Sequence, residues 1–202
     1  MISALGNILI DKIKDLSFID KYAGVVRVIK MKSTEGKIIS FPADCKTTFD
    51  ECSKGKRYLD LCPDSSKKSL VYLEDTTGLR QIKKEGAIQS YNAQLNLIGW
   101  LNLPKLGVEE CSYSALAIAA ILKKLSIPRF NDGIFHYIDI KIIGQQPKTL
   151  DPFSKYNYDE TINQYLMYPY DYFVLALDVD FNFDTRCLKD AMLNEPLNCI
   201  LT

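Results

Sequence analysis

Between Phe173 and Phe183 every second residue is large and apolar: Phe173, Leu175, Leu177, Val179, Phe181 and Phe183 fall on one side of an extended chain, Asp178, Asp180 and Asn182 on the other. A period of two is the signature of a β-strand with one face in a core and the other in water. The stretch from Tyr91 repeats the pattern, with Tyr91, Ala93, Leu95 and Leu97 separated by parity from Asn92, Gln94 and Asn96. Two such strands constrain the fold more than any other feature of the chain. They require a sheet whose apolar face is covered by something else, and they leave a second, polar face to be accounted for.

The cover is legible as helices. Ile2, Leu5, Ile8, Leu9, Ile13 and Leu16 recur at steps of three and four, with Asp11, Lys12, Lys14 and Asp15 between them, which predicts an amphipathic N-terminal helix. A second helix is expected over 108–125, with Glu109 and Glu110 at its start, Lys123 and Lys124 at its end and Pro128 closing it. Its alanines Ala115, Ala117, Ala119 and Ala120 imply close approach to a neighbouring element. After Gly24 the β-branched run Val25, Val26, Val28 and Ile29, the turn at Ser33–Gly36 and the run Lys37–Phe41 predict a hairpin.

From about 42 to 85 small, charged and turn-forming residues surround short strands such as Ser69–Glu74, and the stretch reads as a β-rich insert or arm. His136–Gly144 predicts another strand, about 145–171 a long tyrosine-rich loop, and Thr185–Leu193 a short final helix. With 202 residues the chain has the length of one domain of roughly 100 to 200 residues. The expected fold is α+β: a mixed, mainly antiparallel sheet flanked by an N-terminal and a central helix, in a single domain spanning 1–202.

Lys plus Arg and Asp plus Glu both number 25, so net charge supplies no general attraction to nucleic acid or an anionic membrane. No run approaches about 18 uninterrupted apolar residues, and the first residues lack the pattern of a secretory signal, so a cytosolic protein with free thiols at Cys45, Cys52, Cys62, Cys111, Cys187 and Cys199 is expected.

Motifs for chemistry are weak. Asp178, Asp180 and Asn182 match the first three oxygen positions of a calcium loop, but Phe183 stands where its glycine belongs and Lys189 where its bidentate glutamate belongs. Cys45, Cys52 and Cys62 lack the paired short spacing of a zinc site, and small buried hydrophobes is the better reading. Ser65 and Lys68 fit a loose Ser-x-x-Lys pattern, yet Lys148-Thr149 continues into Leu150 where a companion motif needs glycine. Neither nucleotide-cradling glycine loop is present. Lys54, Lys56, Arg57, Lys67 and Lys68, with Lys83 and Lys84 beyond, read as a solvated basic face. No catalytic, cofactor-binding or metal-binding residue and no cofactor is expected.

What remains is surface. Phe153, Tyr156, Tyr158, Tyr165, Tyr168, Tyr170 and Tyr172 have the composition of a protein interface, and equally of a loop folded back on its own sheet. Asp178 and Asp180 lie close enough to repel unless a cation faces them. The candidate interface is therefore Tyr156, Tyr158, Tyr165, Tyr168, Tyr170, Asp178 and Asp180.

The order of elements and the closing segment Tyr172–Phe183 resemble the tail-completion, or tail terminator, proteins of double-stranded DNA phages. Phe41–Cys45, Leu61–Lys67, Phe153–Tyr156 and Tyr165–Tyr172 are similar to neck ring proteins of Bacteroides-infecting, crAss-like phages. The resemblance implies a non-enzymatic virion protein of the neck or tail region, present in host cytoplasm during assembly. It also implies a homo-oligomeric ring joined to portal, connector or tail proteins, with DNA passing non-specifically through the lumen and no membrane involved. Such a ring needs heterologous contacts that close by rotation. Two other readings stay open: a cysteine-dependent hydrolase built on Cys111 and His136, and a cytosolic module that grips a peptide with its tyrosine loop.

Overall fold

The computed structural model describes residues 1–32, 36–44, 59–108, 113–127, 129–132, 134–148, 151–156 and 166–186. The fold is α+β, a mostly antiparallel sheet with an N-terminal and a central helix. The helices are α1 (Ile2–Ile13), the single turn α2 (Leu103–Leu106) and α3 (Tyr113–Leu125). The early strands are β1 (Lys21–Val25), β2 (Arg27–Lys32), β3 (Ile38–Asp44) and β4 (Leu59–Asp60). They are followed by β5 (Ser69–Asp75), β6 (Arg80–Glu85), β7 (Ile88–Asn102), β8 (Phe130–Asp132), β9 (Phe135–Gln145) and β10 (Tyr170–Asp184).

Among the described residues seven strands make the main sheet, in the order β1-β5-β7-β10-β9-β8 with β6 also laid against β7. The two strands of clean alternation, β7 and β10, are its centre and pair without a slip from Tyr170 opposite Asn102 to Asp184 opposite Ile88. That long register keeps parity: odd-numbered residues of both strands share the first face, even-numbered residues the second.

The first face carries the main core. Leu95, Leu97, Leu177, Val179, Phe181 and Phe183 are buried there under Leu5, Leu9, Ile10 and Ile13 of α1 and Ala117, Ile118, Ile121 and Leu125 of α3. Fully burying an aliphatic or phenyl side chain contributes roughly 1.5–3 kcal/mol, so this face dominates the stability of the fold. Close approach of α1 rests on Gly6, where an added Cβ would lie 2.6 Å from the Val25 backbone nitrogen.

Three details differ from the reading of the sequence. The expected alanine face of α3 is not the packed one: Ala117 is buried but Ala115 and Ala119 are exposed, because the helix docks through Ile118, Ile121 and Leu125. The run from Val25 to Ile29 is two strands. β1 pairs in parallel with β5, whereas β2 forms the expected hairpin with β3 in a second sheet completed by β4. The stretch 42–85 is shared between the two sheets, since β5 lies inside the main one, paired with β1 and β7.

β5 and β6 run one after the other along the same edge of β7. Asp75 opposes Leu95 and Arg80 opposes Asn92, so four residues, Thr76 to Leu79, bulge out against two, Ala93 and Gln94. The Asp75 carboxylate holds the bulge by accepting from the Thr77 and Gly78 backbone N–H groups at 3.2 and 2.7 Å. The hairpin then closes at Gly86–Ala87, between Glu85 and its partner Ile88, with Gly86 at φ 59° in the left-handed region that a two-residue turn favours.

Candidate functional site

Parity alone predicts one wet face. The structure divides that second face in two. Its upper half, formed by Leu70 and Tyr72 of β5, Ile98 and Trp100 of β7 and Tyr172 and Val174 of β10, is a second buried cluster sealed by Phe153, Tyr156 and Leu61. Glu74, buried at 5% exposure, anchors the seal. Its carboxylate accepts from the Tyr156 hydroxyl and from the Lys155 ammonium, and the Tyr72 hydroxyl also contacts that of Tyr156. Burial, then the charge of Glu74 and the hydrogen bond to it, pushes the Tyr156 phenol well above its ordinary value. A second clasp lies at the start of β10: Lys148 pairs with buried Asp171 at 2.5 Å, and the Tyr172 hydroxyl donates to the Lys148 carbonyl.

The lower half of the same face is uncovered among the described residues. Asn92 is its hub, its amide donating to Asp178 and, at 2.8 Å, to Asp180. Lys141 of β9 reaches the other Asp180 oxygen at 2.8 Å, and Arg129 reaches Asp139 at 3.3 Å. Although partial burial raises the Asp180 carboxyl, hydrogen bonds from Lys141 and Asn92 and the charge of Lys141 hold it below the ordinary carboxylate range. The repulsion expected between Asp178 and Asp180 is thus relieved within the subunit. Beside them lies an open groove of about 400 Å³, lined by Arg80, Gln81, Ile82, Asn92, Gln94 and Asp178. Arg80 and Lys84 have no ion-pair partner among the described residues, whereas Lys83 pairs with Glu85.

The candidate interface residues therefore separate. Tyr156 is buried in the seal, and Tyr170 is half-buried with its ring 5.1 Å from that of Trp100. Tyr168, just before a cis peptide to Pro169, is 66% exposed. Asp178 and Asp180 meet on the uncovered half, and Tyr158 and Tyr165 lie outside the described residues.

The alternative chemistry gains no geometry. Cys45, Cys52 and Cys111 lie outside the described residues, as do Lys54, Lys56, Arg57 and nearly all of the expected helix at 185–193. Cys62 is half-buried and in no disulfide among the described residues, and His136 is exposed on β9. Among the described residues no group of three or more His, Cys, Asp or Glu could hold a metal ion, and no helix is long and apolar enough to cross a membrane.

Sequence reasoning missed Glu74, Lys155, Asn92 and Lys141 as organisers of this face. For Asn92 a signal existed, since it stands at the polar parity of its own strand; Lys141 joins the face only through the β9–β10 register, where it opposes Asp178. Glu74 and Tyr156 are 82 positions apart, and no local pattern joins them. Comparison with protein-family models, curated proteins and solved structures finds no match for the chain.

Proposed function

We propose that this chain is a structural subunit of a ring in the head-to-tail connector or tail-completion region of a double-stranded DNA phage, bridging portal and tail and letting DNA pass. The resemblance in element order and in the closing strand motivates the reading. The observation that carries it is the divided second face. The chain's own tyrosine segment seals one half. Among the described residues the other half stays open as a lattice of amides and ion pairs, with Arg80, which has no ion-pair partner among them, at its margin. Such a surface is too polar to be an unfinished core and presents donors and acceptors at strand spacing, the composition of a subunit contact rim.

On this reading Asp178, Asp180 and exposed Tyr168 meet neighbouring subunits, while Tyr156 and Tyr170 shape the subunit itself. The equal numbers of acidic and basic residues suit a conduit, because tight phosphate binding would hold DNA in place. Electron microscopy of the purified full chain over rising concentration tests the proposal. Closed rings with a central opening are expected. A particle that remains a single subunit throughout overturns it.

A further inference from the structure

Besides β1 and β8 at the ends of its strand order, the main sheet has among the described residues two further stretches of unpaired edge, and they lie on opposite sides. At one side β6 pairs with β7 and with no other strand among the described residues; all six of its residues are exposed. At the other side β8 covers β9 only from Phe135 to Ile138, which leaves the outer edge of 139–145 without a strand partner among the described residues. Each edge carries a large exposed aliphatic residue, Ile82 at 56% and Ile143 at 63%. Unpaired edges of this kind are templates for a further strand.

We infer that the β6 edge of one copy of this chain pairs with the β9 edge of the next, so that the main sheet runs on from subunit to subunit. The inference rests on the ring reading and names its contact. Strand direction supports it. β6, β7, β10 and β9 are neighbours in that order and each is antiparallel to the one before. Four alternating strands end in opposite directions, so a rotated second copy brings its β6 antiparallel to β9 of the first, with the two faces of the sheet kept in register. Antiparallel pairing is the more stable ladder.

Charge decides against the two-fold alternative. β6 reads Arg-Gln-Ile-Lys-Lys-Glu, three cations against one carboxylate, so laying it on a second β6 brings two net-cationic edges together. The free stretch of β9 contains one acid and one base, Asp139 and Lys141, each already paired with Arg129 and Asp180. It does not repel the cationic edge.

Stagger decides for closure. Through β10 the free stretch of β9 lies level with 92–97 of β7, whereas β6 lies level with 88–92. The two edges are offset along the strands, so every contact shifts the next sheet in the same sense. A constant stagger is what closing a sheet on itself requires.

Complementation between edge variants of the full chain tests the inference. The two-residue turn makes Glu85 and Ile88 the hydrogen-bonded pair, so the N–H of Lys84 points outward and Lys84→Pro removes it without touching the β6–β7 ladder. Ile143→Lys places a cation on the β9 edge, and Ile143→Asp is the sign control.

By analytical ultracentrifugation Lys84→Pro alone and Ile143→Lys alone should each sediment as single chains. Their equimolar mixture should form a two-chain species joined by the one intact pair of edges, and Ile143→Asp should still assemble. Ile82→Asp serves as a second β6 variant, each variant being compared with wild type by circular dichroism. Assemblies that survive both variants overturn the edge pairing while leaving the ring. A two-chain species from Ile143→Lys alone overturns it in favour of a two-fold contact. A wild-type chain that never assembles overturns the ring reading itself.

Discussion

Replacing Tyr156 by phenylalanine removes one oxygen from the sealed half of the sheet and leaves the ring in place. That oxygen is a donor to Glu74, and Lys155 stays behind to neutralise the carboxylate. A hydrogen bond to a charged group contributes roughly 1.5–3 kcal/mol, and with the lysine retained a loss of about 2 kcal/mol at neutral pH is expected. The pH dependence is the sharper readout. Burial and the charge of Glu74 raise the Tyr156 phenol from its ordinary 10.0, so the folded chain keeps a proton that the unfolded chain releases. The sign follows: above pH of about 10 the folded state binds more protons, and stability falls as pH rises, by about 1.4 kcal/mol per pH unit for one group.

Phenylalanine has no proton to keep, so the variant's alkaline limb should be shallower by about that slope. A residual slope remains from Tyr172, whose phenol burial and the charges of Asp151 and Asp171 also raise. Urea unfolding between neutral pH and pH of about 11 measures both effects. The chain's single tryptophan, Trp100, sits in the same cluster as Tyr156 and is the natural fluorescence probe. Parallel alkaline limbs, together with a neutral-pH difference under about 0.5 kcal/mol, would refute the anchoring role of the Glu74 clasp.

Three further outcomes are expected. At Gly99 an added Cβ would lie 2.1 Å from the Phe173 ring, itself fully buried, so Gly99→Ala should cost about 1–3 kcal/mol in urea unfolding and be partly rescued by Phe173→Leu. Hydrogen bonds from the Arg186 side chain and backbone hold the Asp184 carboxyl down to about 2 from 3.8. The stability this carries is present above the ordinary value and lost as pH falls toward the folded one, so Arg186→Ala should flatten the acid limb of a pH–stability profile. Asn92→Ala deprives Asp178 and Asp180 of their shared donor, and the cost, about 1 kcal/mol, should grow as ionic strength is lowered.

The alternation of β7 and β10 was legible in the sequence because the side-chain period of a strand is a local property, and the apolar face of α1 for the same reason. The division of the second face was not. Val174 and Asp178 share parity on one strand, yet among the described residues one is sealed and the other open, because the Glu74 clasp sets Phe153 and Tyr156 over the half that holds Val174. The long hairpin was hidden as well. Thr76 to Leu79 form a bulge, after which the chain continues along the same edge of β7 as β6. On α3 the alanines misled because alanine favours a helix on any face, while isoleucine and leucine spacing marks the buried one.

The two-residue closure of the β6–β7 hairpin sets an order of events in folding. Glu85 and Ile88 are near neighbours in the chain, and hairpins of this kind form on the order of microseconds. The parallel β1–β5 pairing must bring Lys21 to Leu70 across the long stretch that contains β2, β3 and β4, a slower closure. The nascent chain therefore displays its most exposed edge before the rest of the sheet exists to compete for it. Lysines on that edge then act first in time as a guard, keeping half-made chains apart while each completes its own fold.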